Sequence, residues 1–177
     1  MKANTLFQNN GADFSEDKKH RYSLWRIWDE FLPLVMFIGL NPSIANETDD
    51  DPTIRRVKRF AADWGYGGVY MMNLFTIISS DPAILWELYD FDKFQQRKAE
   101  MLLNEMALTS NHWNLEKIGG KCEKVIFAWG NFEHAKLRED ATVSLFPDAY
   151  CLEKNKNGSP KHPLYVRADI VPVKFIQ

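Results

Sequence analysis

Shortages close off several classes of protein. Only two of the 177 residues are cysteine, Cys122 and Cys151, and neither has a CxxC neighbour. One disulfide is the most they could form, and two reduced thiols are the expectation for a cytosolic chain. No apolar run approaches the ~20 residues that a membrane span needs. The stretch from Met1 to Lys19 is polar and lacks the apolar segment of a signal peptide, so a cytoplasmic protein without a membrane segment is expected. Four histidines (His20, His112, His134 and His162) form no HxxxH or HExxH pair, so no zinc ligand set is predicted. No GxSxG surrounds Ser43, which leaves a serine nucleophile without its elbow. Gly65, Gly67 and Gly68 make neither a dinucleotide fingerprint nor a P-loop and read as a helix stop and a turn, so no cofactor is predicted.

An excess of positive charge is also missing. The formal net charge is −2. A protein that coats nucleic acid is usually basic, with a Lys/Arg stripe. This chain can carry only a local basic patch, which disfavours non-specific DNA binding but leaves a free nucleotide or base open as a partner.

What is present is ordinary for a globular chain: 45% hydrophobic and 26% charged residues, with twelve Phe and six Trp. The length suits one domain, taken as residues 21–177 after a polar lead-in of residues 1–20. Arg21 to Asp29 is dense in aromatics and Arg and reads as a strand or an irregular return to the core. Leu34 to Leu40, LVMFIGL, reads as a strand buried on both faces. Asp51 and Pro52 then mark a helix start. Ile54, Val57, Ala61 and Trp64 follow at helical spacing, and Gly65 stops the helix. Val69 to Phe75, Val125 to Ala128 and Ala149 to Leu152 are further strands. Phe91 to Leu108 and a stretch around Phe132 to Arg138 are further helices. The alternation predicts an α/β fold: a three-layer α/β/α sandwich on a mostly parallel sheet of about four strands.

Open parallel sheets bind ligands beyond the carboxyl ends of their strands. Four polar stops follow the buried runs: Gly39-Leu40-Asn41-Pro42-Ser43, Asn73, Trp129-Gly130-Asn131 and His162-Pro163. They are predicted to converge on one rim. Asn41 could read a base edge or hold a water, or it could satisfy local backbone as an Asx-type turn. Asp49, Asp50 and Asp51 could bind a divalent metal or act as a base, or Asp51 could cap the helix while the others favour its positive end. Arg55, Arg56, Lys58 and Arg59 could meet phosphate or form a solvated face; Arg55 and Arg56 lie nearest the helix start. His162 could donate to a developing anion or act as an acid or base near neutral pH.

Several strings, in order, carry a resemblance: RYSLWRIWD, FIGLNPSIANETDDDPTIRRVKRFAADWGYGGVYMMNLF, SSDP, FAWG and NGSPKHPLY. From about Arg21 to Tyr165 the chain resembles the bacterial and phage family catalogued as domain of unknown function 1643. It departs where that family has a Gly-Pro-Glu-Asn-Asp-like stretch, and Tyr89-Asp90-Phe91-Asp92-Lys93-Phe94 stands instead. A more distant resemblance is to the uracil-DNA glycosylase superfamily. Gly39-Leu40-Asn41-Pro42 is similar to its first motif, Asn73 to its base-reading Asn, Trp129-Gly130 to a later strand end and His162-Pro163 to its last motif. That resemblance implies a nucleobase, nucleotide or damaged DNA as ligand and hydrolysis of an N-glycosidic bond. Asn41 would position water or sugar, Asn73 would read the base, Phe75 or Trp129 would stack on it, and His162 would stabilise charge on the leaving base. Leu164-Tyr165 is the one wedge candidate. The alternatives are a non-catalytic binding module on the same fold and a metal-dependent phosphohydrolase using Asp49 to Asp51.

Overall fold

A computed structural model describes residues 9–85 and 98–176, except the side chains of 98–108. The apolar run LVMFIG forms strand β3 (Leu34–Gly39). Successive side chains of a strand point to opposite faces. Val35 and Phe37 therefore enter one core cluster and Met36 and Ile38 the other, all fully buried. Strand β4 (Gly68–Asn73) runs parallel to β3, in register from Leu34 opposite Gly68 to Gly39 opposite Asn73. Strand β5 (Lys124–Phe127) lies parallel on the other side of β3, and β6 (Tyr150–Cys151) lies parallel to β5.

These are the four predicted strands, but they are only the middle of the sheet. The sheet is mixed and seven-stranded, in the order β1-β2-β4-β3-β5-β6-β7, rather than four-stranded and mostly parallel. The additions are β1 (Asn9–Phe14) and β2 (Arg21–Ile27) beyond β4, and β7 (Val173–Lys174) beyond β6, all paired antiparallel. Each escapes a search for apolar runs for a physical reason. Strand β1, NNGADF, lies inside the polar lead-in; it is an edge strand and half open to water. In β2 two arginines stand in strand positions, yet Arg21 and Arg26 are 2% and 1% exposed. Strand β7 has two residues only.

Helices lie on both faces. Helix α1 (Pro52–Asp63) starts as predicted, with the Asp51 carboxylate accepting from Ile54 N at 2.8 Å. Its buried face is Ile54, Val57, Phe60 and Ala61, on the Val35/Phe37 side of the sheet. Trp64 stacks on Phe60 at 5.4 Å, and Gly65 stops the helix with φ near +85°. Helix α2 (Lys98–Gly119) and helix α3 (Lys136–Leu145) face the other cluster through Leu115, Ile118 and Val143. The helix expected over Phe91 to Leu108 thus extends further along the chain. Asn111, which looks like a helix breaker, is buried and donates to the Asn73 and Leu74 carbonyls at 2.9 and 3.3 Å. Residues 86–97, including the divergent Tyr89 to Phe94 stretch, lie outside the described residues. The helix expected around Phe132 is a 3-10 turn, Glu133–Ala135, leading into α3. Among the described residues no helix is long and apolar enough to cross a membrane. Both cysteines are free thiols.

One ion cluster ties β2 to α1. Arg26 Nε donates to Asp50 at 2.8 Å, and its Nη2 to the Asn46 carbonyl at 2.8 Å. Lys58 donates to the other Asp50 oxygen at 2.6 Å. Burial pushes the Asp50 carboxyl up, but the hydrogen bonds from Lys58 and Arg26 outweigh it and hold the group below the usual range. Asp50→Asn leaves a buried guanidinium without its counter-charge. It is expected to destabilise the fold by about 3 kcal/mol, whereas Lys58→Met, at a more open partner, costs about 1 kcal/mol or less. Urea unfolding at neutral pH measures both, and a near-neutral Asp50→Asn would remove Asp50 from that role.

Candidate functional site

Past the last ladder bond, the chain ends of β3 and β4 must find new partners for their backbone groups. They find each other. Leu74 N donates to Gly39 O, Phe75 N to Leu40 O and Ser79 N to Pro42 O, each at 2.9 Å. Asn41 adds a side-chain staple: its Nδ2 donates to Ser79 O at 2.9 Å and reaches Pro42 O at 3.2 Å and Ile77 O at 3.4 Å. On this interlocked rim lies a cleft of about 390 Å³, within the usual size of small-ligand sites.

The cleft gathers residues from all four predicted stops. Gly39, Asn41, Ser43, Asn73, Trp129, Gly130 and His162 line it. Other expected residues lie elsewhere. Pro42 is buried in the rim, where its carbonyl accepts from Ser79. Phe75 is fully buried in the α2-side core and is not part of the cleft lining, so it offers no face to a base. Trp129 touches the cleft but is 2% exposed, packed on Phe127 at 4.7 Å between ring centroids. Its Nε1 has no partner among the described residues. The aromatic surface that stays open belongs to Tyr165, 79% exposed, which sequence reasoning did not assign to stacking; Phe132 also lines the cleft but packs on the core and beside the His134 ring.

Arg55 and Arg56 also miss the cleft. They line a separate shallow groove with Pro52, Arg59 and Leu164. Arg55 donates to the Asp50 carbonyl. Arg56 donates to Val166 O at 2.6 Å and lies over the Phe60 ring. The helix turns about 100° per residue, so Thr53 and Ile54 face the cleft where the next two residues do not.

Asn73 is the best-placed polar group. It is 2% exposed, yet its amide makes no hydrogen bond with any described residue. It lies across the end of β3 because Gly39 has no side chain: a Cβ there would come within 2.8 Å of Asn73 Oδ1. From the other side, Gly130 takes φ near +81°, a conformation glycine favours, and packs beside the Cβ of His162. His162 Nδ1 accepts from Leu164 N at 3.3 Å, capping the turn Pro163–Tyr165. A ring that accepts at Nδ1 carries its proton on Nε2, which becomes the ring's donor. Burial pushes the His162 pKa below the usual value, against the charge of Asp51, so the ring is neutral near pH 7.

The acidic run does not assemble a metal site. Asp50 is ion-paired, Asp49 accepts from Asn46, and Asp51 caps α1. Among the described residues no group of three or more His, Cys, Asp or Glu is placed to hold a metal ion. Asp51 instead reaches the cleft together with Arg21. Sequence reasoning did not assign Arg21 to the site. It comes from the amino-terminal end of β2, and the strand-end rule for parallel sheets does not cover an antiparallel neighbour.

The cleft therefore offers an amide with both donor and acceptor, a neutral imidazole donor, a guanidinium, a carboxylate and the open ring of Tyr165. That is chemistry for a planar polar ligand. Residues 21–164 match the family described as a protein of unknown function (DUF1643), and the chain belongs to it. No curated protein and no solved structure matches the chain.

Asp51→Asn keeps the helix cap and removes the charge that favours the His162 imidazolium. The His162 midpoint, already below the usual histidine value because of burial, is expected to fall further in the variant. Titration of the ring by NMR checks this, and a rise would contradict the assignment of Asp51 as its neighbour.

Proposed function

We propose that this member of the DUF1643 family binds a nucleobase, carried by a nucleotide or by DNA, in the rim cleft and hydrolyses the N-glycosidic bond that joins the base to its sugar. One observation carries the reading: Asn73, its amide unpartnered among the described residues, and His162, with Nε2 as donor, line the same cleft at the carboxyl ends of the parallel strands. A base edge presents neighbouring donors and acceptors, which one amide can match. Tyr165 supplies an open ring for stacking. The order of Gly39-Leu40-Asn41-Pro42, Asn73, Trp129-Gly130 and His162-Pro163 resembles the motifs of the uracil-DNA glycosylase superfamily, which supports the same assignment.

In this reaction the bond from C1′ to the base nitrogen breaks, and its electron pair leaves with the base. Water adds to C1′, and its proton passes to the departing base or to solvent. The neutral His162 donates from Nε2 to the oxygen on which negative charge builds. Asn41 gives its N–H groups to the rim carbonyls, so only its Oδ1 remains to orient the water. That engagement of Asn41 is also the observation that favours the second reading, a module that binds a base without turnover.

Uracil-containing and other modified-base oligonucleotides and free nucleosides, assayed for binding and base release, test the proposal. Asn73→Ala is expected to weaken binding about tenfold or more. His162→Ala is expected to lower turnover by about a hundredfold or more. Binding without base release in the wild type selects the non-catalytic module, and neither binding nor release overturns both readings.

A further inference from the structure

Two buried arginines five residues apart on β2 make an instructive contrast. Arg26 is paired with Asp50 and donates to backbone carbonyls. Arg21 is as deeply buried, at 2% exposure, but has no ion pair among the described residues. Its Nη1 donates to Ala45 O at 2.6 Å, while its Nε is buried with no partner. A guanidinium held away from water without a hydrogen-bonded counter-ion is costly. Burial pushes its pKa down to about 10, with the Asp51 charge opposing, which still leaves it cationic near pH 7.

What holds Arg21 in place is its backbone, which donates to Thr76 O at 2.9 Å, next to the His20–Thr76 side-chain bond at 2.8 Å. Arg21 lines the cleft, and so does Thr53, the second residue of the 12-residue helix α1. At the start of α1 Pro52 has no N–H and Ile54 N is taken by Asp51, so Thr53 supplies the backbone donor there, and a helix start carries partial positive charge. Asp51 is the one carboxylate among the described residues lining the cleft, and one of its oxygens is engaged by Ile54 N. A buried cation and a helix start on one cleft form a receptor for an oxyanion.

We propose that Arg21 and the start of α1 form a phosphate subsite of the cleft, so that the preferred ligand is a nucleotide rather than a free base or nucleoside. The nucleotide part rests on the nucleobase reading above; the phosphate part does not. Arg21 binds and orients the ligand and takes no part in bond breaking.

Calorimetric titration with inorganic phosphate, a nucleoside and its 5′-monophosphate separates the two parts. Inorganic phosphate is expected to bind the wild type and to bind Arg21→Gln about tenfold or more weakly, with Arg21→Lys in between. The monophosphate is expected to bind the wild type at least about tenfold more tightly than the nucleoside, an advantage that disappears in Arg21→Gln. Phosphate binding with no nucleoside or nucleotide binding keeps the subsite and sinks the nucleobase reading. Nucleoside binding with no gain from the phosphate does the reverse. Because Arg21 also holds the Ala45 carbonyl, the wild type supplies a readout independent of any variant. The Arg21 Nε resonance is expected to shift as phosphate is added, and a resonance that stays put at high phosphate overturns the subsite.

Discussion

The parallel ladder between Leu34–Gly39 and Gly68–Asn73 sets the position of everything around the cleft. Its register places Gly39 opposite Asn73, so both strands stop at the same level. Backbone groups beyond that level cannot be left bare in a buried setting. The two exits therefore bond to each other, from Leu74 with Gly39 to Ser79 with Pro42, and Asn41 staples the same segments. The missing side chain of Gly39 leaves room for the Asn73 amide to lie over the strand end. A single constraint thus yields an interlocked rim and, among the described residues, an unpartnered amide on it.

The second organising feature is charge taken inside. Arg21 and Arg26 are both buried in β2, but they are satisfied differently. Arg26 binds Asp50 and joins the sheet to the start of α1 through Asp50 and Lys58. Arg21 receives one carbonyl and the distant influence of Asp51. The first arrangement is complete within the fold. The second is complete only with something added, which is the physical basis for treating Arg21 as a ligand-binding residue. Its neighbourhood also governs His162, since Asp51 favours charge on both.

Much of this was legible in the residues. The four parallel strands announced themselves as apolar runs, and α1 by its Asp-Pro start and Gly65 stop. The convergence of Asn41, Asn73, Trp129-Gly130 and His162 followed from strand order alone. What stayed hidden had polar disguises. Strand β1 is an edge and carries few apolar residues, and β2 could be read only as a strand or an irregular return to the core, because its arginines give no sign of burial. Arg21 lies on the cleft because β2 is antiparallel, so its beginning meets the ends of its neighbours. Phe75 stood as a stacking ring only through the resemblance to the glycosylase motifs. The strand stops at Asn73, however, and the chain then bonds to Leu40, with the ring in the core. Arg55 and Arg56 were near the right end of α1 but on the wrong side of it.

The central claim is that Asn73 and His162 act on one ligand in one cleft. The most direct measurement follows the Asn73 side-chain amide and the His162 ring by NMR in a single titration with a nucleoside 5′-monophosphate. The expected result is that both signals move together with one midpoint, while the Asn111 amide, buried behind the rim, moves little. Movement of neither, or of the two with separate midpoints, would contradict a shared site.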